Sequence, residues 1–217
     1  STMDLKIHPR EGDLIIGTFG RAAWVMDDLR PLRAIARAGT GLLDSALVAF
    51  ASPDAYLAGY GEAPGTRFAA EGMFAGENRP YGAPISFWVH PAQQADTAHL
   101  EILDEAGAVI RNLYVKVDSG LNRTRWYLRR KGVKRLSQNE WNPEPETREP
   151  GGPAVLPGAY RVRITLGDHV DSTQIKVLPD PRTAFDMAGA RALQPLHDRY
   201  LMLLAEAGDA TDRLAAA

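Results

Sequence analysis

Two carboxylates stand side by side at Asp27 and Asp28, directly after an apolar run. Paired carboxylates are what a hydrolase uses to cleave a glycosidic bond. Neighbours on a strand face opposite sides, however, and acids just ahead of Pro31-Leu32 suit the cap of a following helix. Capping is the stronger reading. The histidines are His8, His90, His99, His169 and His197, with no HExxH pattern and no close pair, so a zinc site is not expected. His8-Pro9 and His90-Pro91 read as strand ends. Asp168, His169 and Asp171 crowd one turn, which suits a polar hairpin better than a metal. Ser45, Ser52, Ser86, Ser119, Ser137 and Ser172 lack the GxSxG elbow that exposes a nucleophile. Gly12, Gly17 and Gly20 fit strand turns better than a phosphate cradle.

Aromatic and basic residues offer binding chemistry instead. Trp24, Trp88, Trp126 and Trp141, with seven Tyr, could stack on sugar rings. Trp24, Trp88 and Trp126 fall in alternating segments, so a core position is expected for each. Trp141 sits among polar residues and is expected to be exposed. Arg123, Arg125, Arg129, Arg130, Lys131, Lys134 and Arg135 form a basic ribbon. A solvated strand pair explains that ribbon better than a polyanion contact. Trp141, Arg123 and Arg125 stand as the ligand-binding candidates. No catalytic residue, metal ligand or cofactor is expected.

The composition sets the frame for these residues. The 217 residues are 45% hydrophobic and 24% charged, enough to bury a core without staples. A net charge of -2 gives no strong field for nucleic acid or an anionic membrane. The absence of Cys excludes disulfides, thiolate metal sites and thiol nucleophiles. No apolar run approaches the roughly 20 residues of a membrane span. No signal peptide is evident, and Ser1-Thr2-Met3 reads as a cut edge.

Four zones must position the candidates. In residues 1–30, Leu5-Lys6-Ile7-His8, Leu14-Ile15-Ile16-Gly17-Thr18 and Ala23-Trp24-Val25-Met26 predict three short antiparallel strands. Three strands bury little alone and need something to pack on. Residues 31–84 read as an irregular connector with one short helix near Leu32 to Ala38, broken by Pro53, Pro64, Pro80 and Pro84. Residues 85–179 carry six or seven strand signals at close, turn-bounded spacing, which predicts a small β-sandwich. They include Ile85 to Val89, His99 to Asp104, Val109 to Leu113, Thr124 to Leu128, Tyr160 to Leu166 and Thr173 to Val177. Lys131 to Pro153 should interrupt the sandwich as a solvated, hairpin-like insertion. In residues 180–217, Leu193, Leu196, Tyr200, Leu203, Leu204, Ala207 and Leu214 recur at three- and four-residue steps. That spacing predicts an amphipathic helix, with Pro195 in a first turn or at a kink and Gly208 dividing it.

Several stretches resemble known families. Gly107-Ala108-Val109-Ile110-Arg111-Asn112-Leu113, Gly120-Leu121-Asn122-Arg123-Thr124-Arg125-Trp126 and Leu156-Pro157-Gly158-Ala159-Tyr160-Arg161-Val162 resemble the immunoglobulin-like domain of flagellar hook-capping proteins. In that reading Asp104 and Gly107 make a hairpin turn, and Pro157-Gly158 is a type II turn returning Tyr160 to the core. Ile7-His8-Pro9, Asp13-Leu14-Ile15-Ile16-Gly17-Thr18, Gly20-Arg21 and Trp24-Val25-Met26-Asp27-Asp28-Leu29 resemble the last blade of a sortilin-type β-propeller. Gly76-Glu77-Asn78-Arg79-Pro80-Tyr81-Gly82-Ala83 is similar to the connector of large secreted bacterial proteins with sialidase-type repeats, often labelled glycosyl hydrolases. Phe19 departs from the His common in that blade, and Trp126-Tyr127-Leu128 from the usual Trp-Asp-Leu.

The resemblance implies a mainly β chain: a blade remnant, an immunoglobulin-like or fibronectin-type β-sandwich and a terminal helix. It implies a non-catalytic accessory module at the C-terminus of a larger secreted or periplasmic propeller protein. The expected partner is the missing N-terminal propeller, reached through the apolar faces of the first strands and the terminal helix. Left alone, those faces should pack within the chain or drive self-association. A carbohydrate-binding part of a glycoside hydrolase is the alternative, resting on Trp141 and the basic ribbon.

Overall fold

A computed structural model describes residues 1–58, 80–134 and 149–215. Strands take 43% of the described residues and helices 23%, so the fold is mainly β, as expected. Three short strands open it: β1 (Thr2–Ile7), β2 (Leu14–Thr18) and β3 (Ala23–Met26), in an antiparallel sheet of that order. Helix α1 (Arg30–Ala38) follows, with Pro31 in its first turn, where the missing N–H costs nothing. Gly39 ends the helix and donates its N–H to the Ile35 carbonyl at 2.9 Å. A 3-10 turn, Thr40–Asp44, leads out of it.

The remaining strands are β4 (Leu47–Ala49), β5 (Ala55–Leu57), β6 (Ala83–Val89), β7 (Thr97–Leu103), β8 (Val109–Lys116) and β9 (Gly120–Trp126). They continue as β10 (Arg129–Lys131), β11 (Gly151–Ala154), β12 (Gly158–Leu166) and β13 (His169–Pro179). Helix α2 (Met187–Ala215) closes the described chain. A five-stranded sheet runs β5-β13-β12-β7-β8, and a three-stranded sheet runs β4-β6-β9. Strands β10 and β11 pair as a separate ribbon.

One core joins these two sheets. Alternate residues point inward, as the two-residue period of a strand demands. Ile85, Phe87 and Val89 come from β6, Ala98, Leu100 and Ile102 from β7, Val162, Ile164 and Leu166 from β12, and Ile175 and Val177 from β13. Trp126 is 1% exposed, packs edge-on against the Tyr160 ring at 5.1 Å and donates its indole N–H to the Arg129 carbonyl at 2.9 Å.

The structure moves several expected boundaries. The stretch expected as an irregular connector supplies β4 and β5, which join the edges of both sheets. Strand β5 runs parallel to β13, and β4 runs antiparallel to β6. The two-sheet unit therefore begins at Leu47, well before Ile85. Three-residue strands are too short for alternation to reveal them, and it is pairing at a sheet edge that makes them strands. The insertion between Lys131 and Pro153 is anchored by the β10–β11 ladder, while its Trp141 lies outside the described residues. Gly158 is not a turn residue but the first residue of β12, opposite Val177. The strand expected at Thr124 to Leu128 starts at Gly120 and stops at Trp126, and Leu128 takes a positive φ of 54°. Gly208 does not divide α2, and Pro195 lies inside it.

Candidate interaction surface

The register of the first sheet sorts its side chains cleanly. Leu5 pairs with Ile16, which pairs with Trp24, and Ile7 pairs with Leu14, which pairs with Met26. Because residues two apart on a strand share a face, these six side chains form one apolar face. The other face carries Lys6, Ile15 and Val25. Every residue of β1 and β3 is exposed. Leu5 is 55% exposed and Trp24 63%. Trp24 thus departs from the core position expected for it. Its strand is wholly apolar, yet all four of its residues are exposed.

The sheet is tied to the rest of the molecule at its last turn. Asp28 is buried at a positive φ of 49°. Its N–H donates to the Asp13 carboxylate at 2.8 Å, and its own carboxylate accepts from the Arg30 backbone N–H and guanidinium at 3.2 and 2.7 Å. The expected capping role is therefore filled in a modified form, since the cap position itself is Leu29. Asp27 and Asp28 do not converge on a reacting centre: their carbonyls accept from the two terminal nitrogens of Arg123, at 2.7 and 3.0 Å.

That contact defines what Arg123 does. It reaches from β9 to the first sheet and clamps the two together. Arg125, two residues on, donates to the carbonyls of Pro80 and Gly82 at 2.9 and 3.3 Å. The structure brings Arg123 and Arg125 onto one strand, with both guanidiniums directed at backbone carbonyls. Trp141 lies outside the described residues.

A polar row crosses the outer face of the five-stranded sheet, and the sequence offered no signal for it as a unit. His99 stacks on Tyr114 with ring centroids 4.7 Å apart. Its Nε2 meets the Asn112 Oδ1 at 2.9 Å. Asn112 donates both its backbone N–H and its side-chain amide to Glu149 at 2.8 Å. Arg111 donates to the Glu149 carbonyl at 2.6 Å and to the Pro150 carbonyl. Burial pushes the Glu149 carboxyl up, but the Asn112 hydrogen bonds, with Lys131 and Arg111 nearby, hold it below its ordinary value. Next along the face, the hydrogen bond from Arg163 holds Glu101 low. A carboxylate held ionised by so many donors is a poor proton acceptor for a substrate. The row latches the returning chain at residue 149 onto edge strand β8.

The remaining sequence candidates have local tasks. The His8 and His90 rings accept the backbone N–H of Glu11 and Ala92, each at 3.1 Å, at the strand ends expected for them. In the Asp168 to Asp171 hairpin, the Asp171 carboxylate accepts the Ala49 N–H at 2.7 Å and holds β4 in place. Among the described residues, no group of three His, Asp or Glu side chains could hold a metal ion. An open depression of about 510 Å³ lies along Ser52, Asp54, Pro157, Gln174 and Lys176, with no convergent catalytic groups. No helix among the described residues is long and apolar enough to cross a membrane.

Comparison with known protein families, with curated proteins and with solved structures finds no significant match to this chain.

Proposed function

We propose that this chain is a non-catalytic interaction module of a larger protein, docking through the apolar face of its first sheet. The observation that carries this reading is the continuous face of Leu5, Ile7, Leu14, Ile16, Trp24 and Met26 on a sheet whose outer strands are wholly exposed. A lone three-stranded sheet is marginal in water and gains its stability from a packed face. An exposed apolar patch of this kind marks an interaction site. The occupant we propose is the neighbouring β-sheet blade of an N-terminal propeller in a secreted or periplasmic parent, as the resemblance of residues 1–30 implies. The two sheets sharing one core would then form the immunoglobulin-like module that follows it. The alternative, carbohydrate binding, has less support, since the guanidiniums of Arg123 and Arg125 are directed at carbonyls within the chain.

Hydrogen exchange tests the reading by comparing this chain with a longer parent polypeptide that includes the upstream region. The amides of β1 to β3 should exchange fast here and slowly in the parent. Leu5→Asp should destabilise the parent while leaving the melting of this chain unchanged. Equal exchange in both polypeptides would refute the docking claim.

A further inference from the structure

A second apolar surface runs along α2, and its spacing is different in kind. Leu193, Leu196, Tyr200, Leu203, Ala207 and Ala210 follow one another at alternating steps of three and four residues, and Leu214 continues the series. That is the a/d pattern of a coiled-coil seam. All of them are exposed, Leu196 at 61% and Leu203 at 52%. The helix is held to its own chain from another side. Gln194, Leu201, Ala205 and Gly208 are half-buried. Asp198 and Asp212, two heptads apart, pair with Arg130 and Lys134, each at 3.0 Å. Both ion pairs lie on the side of the helix away from the seam, which leaves the seam facing outward.

We infer that α2 is the interface of a homodimer, in which two copies pair their seams antiparallel about a two-fold axis between Tyr200 and Leu203. Side-chain volume selects this arrangement. With Tyr200 level with Leu203 of the second copy, Leu196 meets Ala207 and Leu193 meets Ala210. Each of these flanking layers combines one large and one small side chain, so the layers interdigitate. An in-register parallel pair would instead stack Tyr on Tyr and then place Ala on Ala in two successive layers, leaving that half of the seam hollow.

Charge selects the same arrangement. Arg199 and Glu206 flank the seam at equivalent heptad positions, and neither is ion-paired with another described residue. The antiparallel pairing brings Arg199 beside Glu206 of the second copy, twice by symmetry. A parallel pairing would set them against Leu204 and Thr211. Pro195 lies on the outer side of the helix, off the seam, and the layers from Leu196 onward follow it without interruption. The inference concerns α2 alone and is independent of what covers the first sheet.

Sedimentation velocity across a wide concentration range tests it, with far-UV circular dichroism to confirm folding. The wild-type chain should pass from monomer to dimer. Leu203→Glu, a change at an exposed site, should raise the dissociation constant about thirtyfold or more. Leu196→Glu should act in the same direction. Glu206→Arg should weaken the dimer about three- to tenfold, and adding Arg199→Glu should restore it. The chain has no native cysteine to confuse cross-linking. Mixed Leu196→Cys and Ala207→Cys proteins should join as a heterodisulfide. Leu196→Cys alone should not cross-link, because its two copies would lie about 16 Å apart along the axis. A chain that stays monomeric throughout, a dimer indifferent to Leu203→Glu and Leu196→Glu, or efficient self-linking of Leu196→Cys would each overturn the inference.

Discussion

Tyr160 shows how a single side chain serves two layers of the fold. Its ring packs against Trp126, and its hydroxyl donates to the Leu156 carbonyl at 2.8 Å. Burial, aided by Glu105 and Asp104, pushes its ionisation up to about 12 from the ordinary 10.0. A raised folded value means that the native state holds the phenol proton more tightly than the unfolded chain does. The resulting stability is whole below pH 10 and is lost as pH climbs from there toward 12. Tyr160→Phe should remove that alkaline decline. At neutral pH it should cost about 1 kcal/mol for the lost hydrogen bond. Urea melts of both proteins at neutral and alkaline pH check this, and equal alkaline slopes would contradict it.

Among the elements, the β10–β11 ribbon depends most on the absence of a side chain. A Cβ on Gly152 would collide with the Lys131 carbonyl and lie 2.9 Å from the Arg130 oxygen. A Cβ on Gly132 would lie 2.6 Å from the Gly151 oxygen. The ribbon is also tied to the core, since the Trp126 indole N–H donates to the Arg129 carbonyl. Gly152→Ala should force the strands apart and cost about 1 to 3 kcal/mol. Exchange of the amides at 129–131 and 151–154 should quicken, and the near-UV signal of Trp126 should change. Unaltered exchange there would show that the ribbon yields without penalty.

For the whole molecule, the junction between the first sheet and the two-sheet core matters most. It relies on Arg123, whose guanidinium holds the Asp27 and Asp28 carbonyls. Hydrogen bonds from a charged donor are stronger than neutral ones, though partial exposure weakens this pair. Arg123→Ala should release the first sheet at a cost of about 1 to 2 kcal/mol. Amide exchange in β1 to β3 should accelerate, while β7, β12 and β13 keep their protection. Uniform acceleration across all strands would instead make Arg123 part of the global core. Release of the sheet would also free its apolar face from the orientation in which the proposed docking presents it.

Local patterning alone determined the mainly β class, the three opening strands, the helix after Pro31 and the long terminal helix. Each of these repeats its apolar residues at a period that the backbone imposes, so neighbouring residues carry the signal. Tertiary structure decided what periodicity cannot encode. Leu47–Ala49 and Ala55–Leu57 become strands only because sheet edges wait for them. Trp24 lies exposed in the wholly apolar strand Ala23–Met26, while Trp126 is buried at the end of the largely polar strand Gly120–Trp126, because burial depends on what lies opposite. No local spacing foretells that Arg123 and Arg125 donate to the carbonyls of Asp27, Asp28, Pro80 and Gly82, which only the fold brings within reach. The latch from Asn112 to Glu149 spans 37 residues of sequence, a separation at which no local spacing predicts a contact.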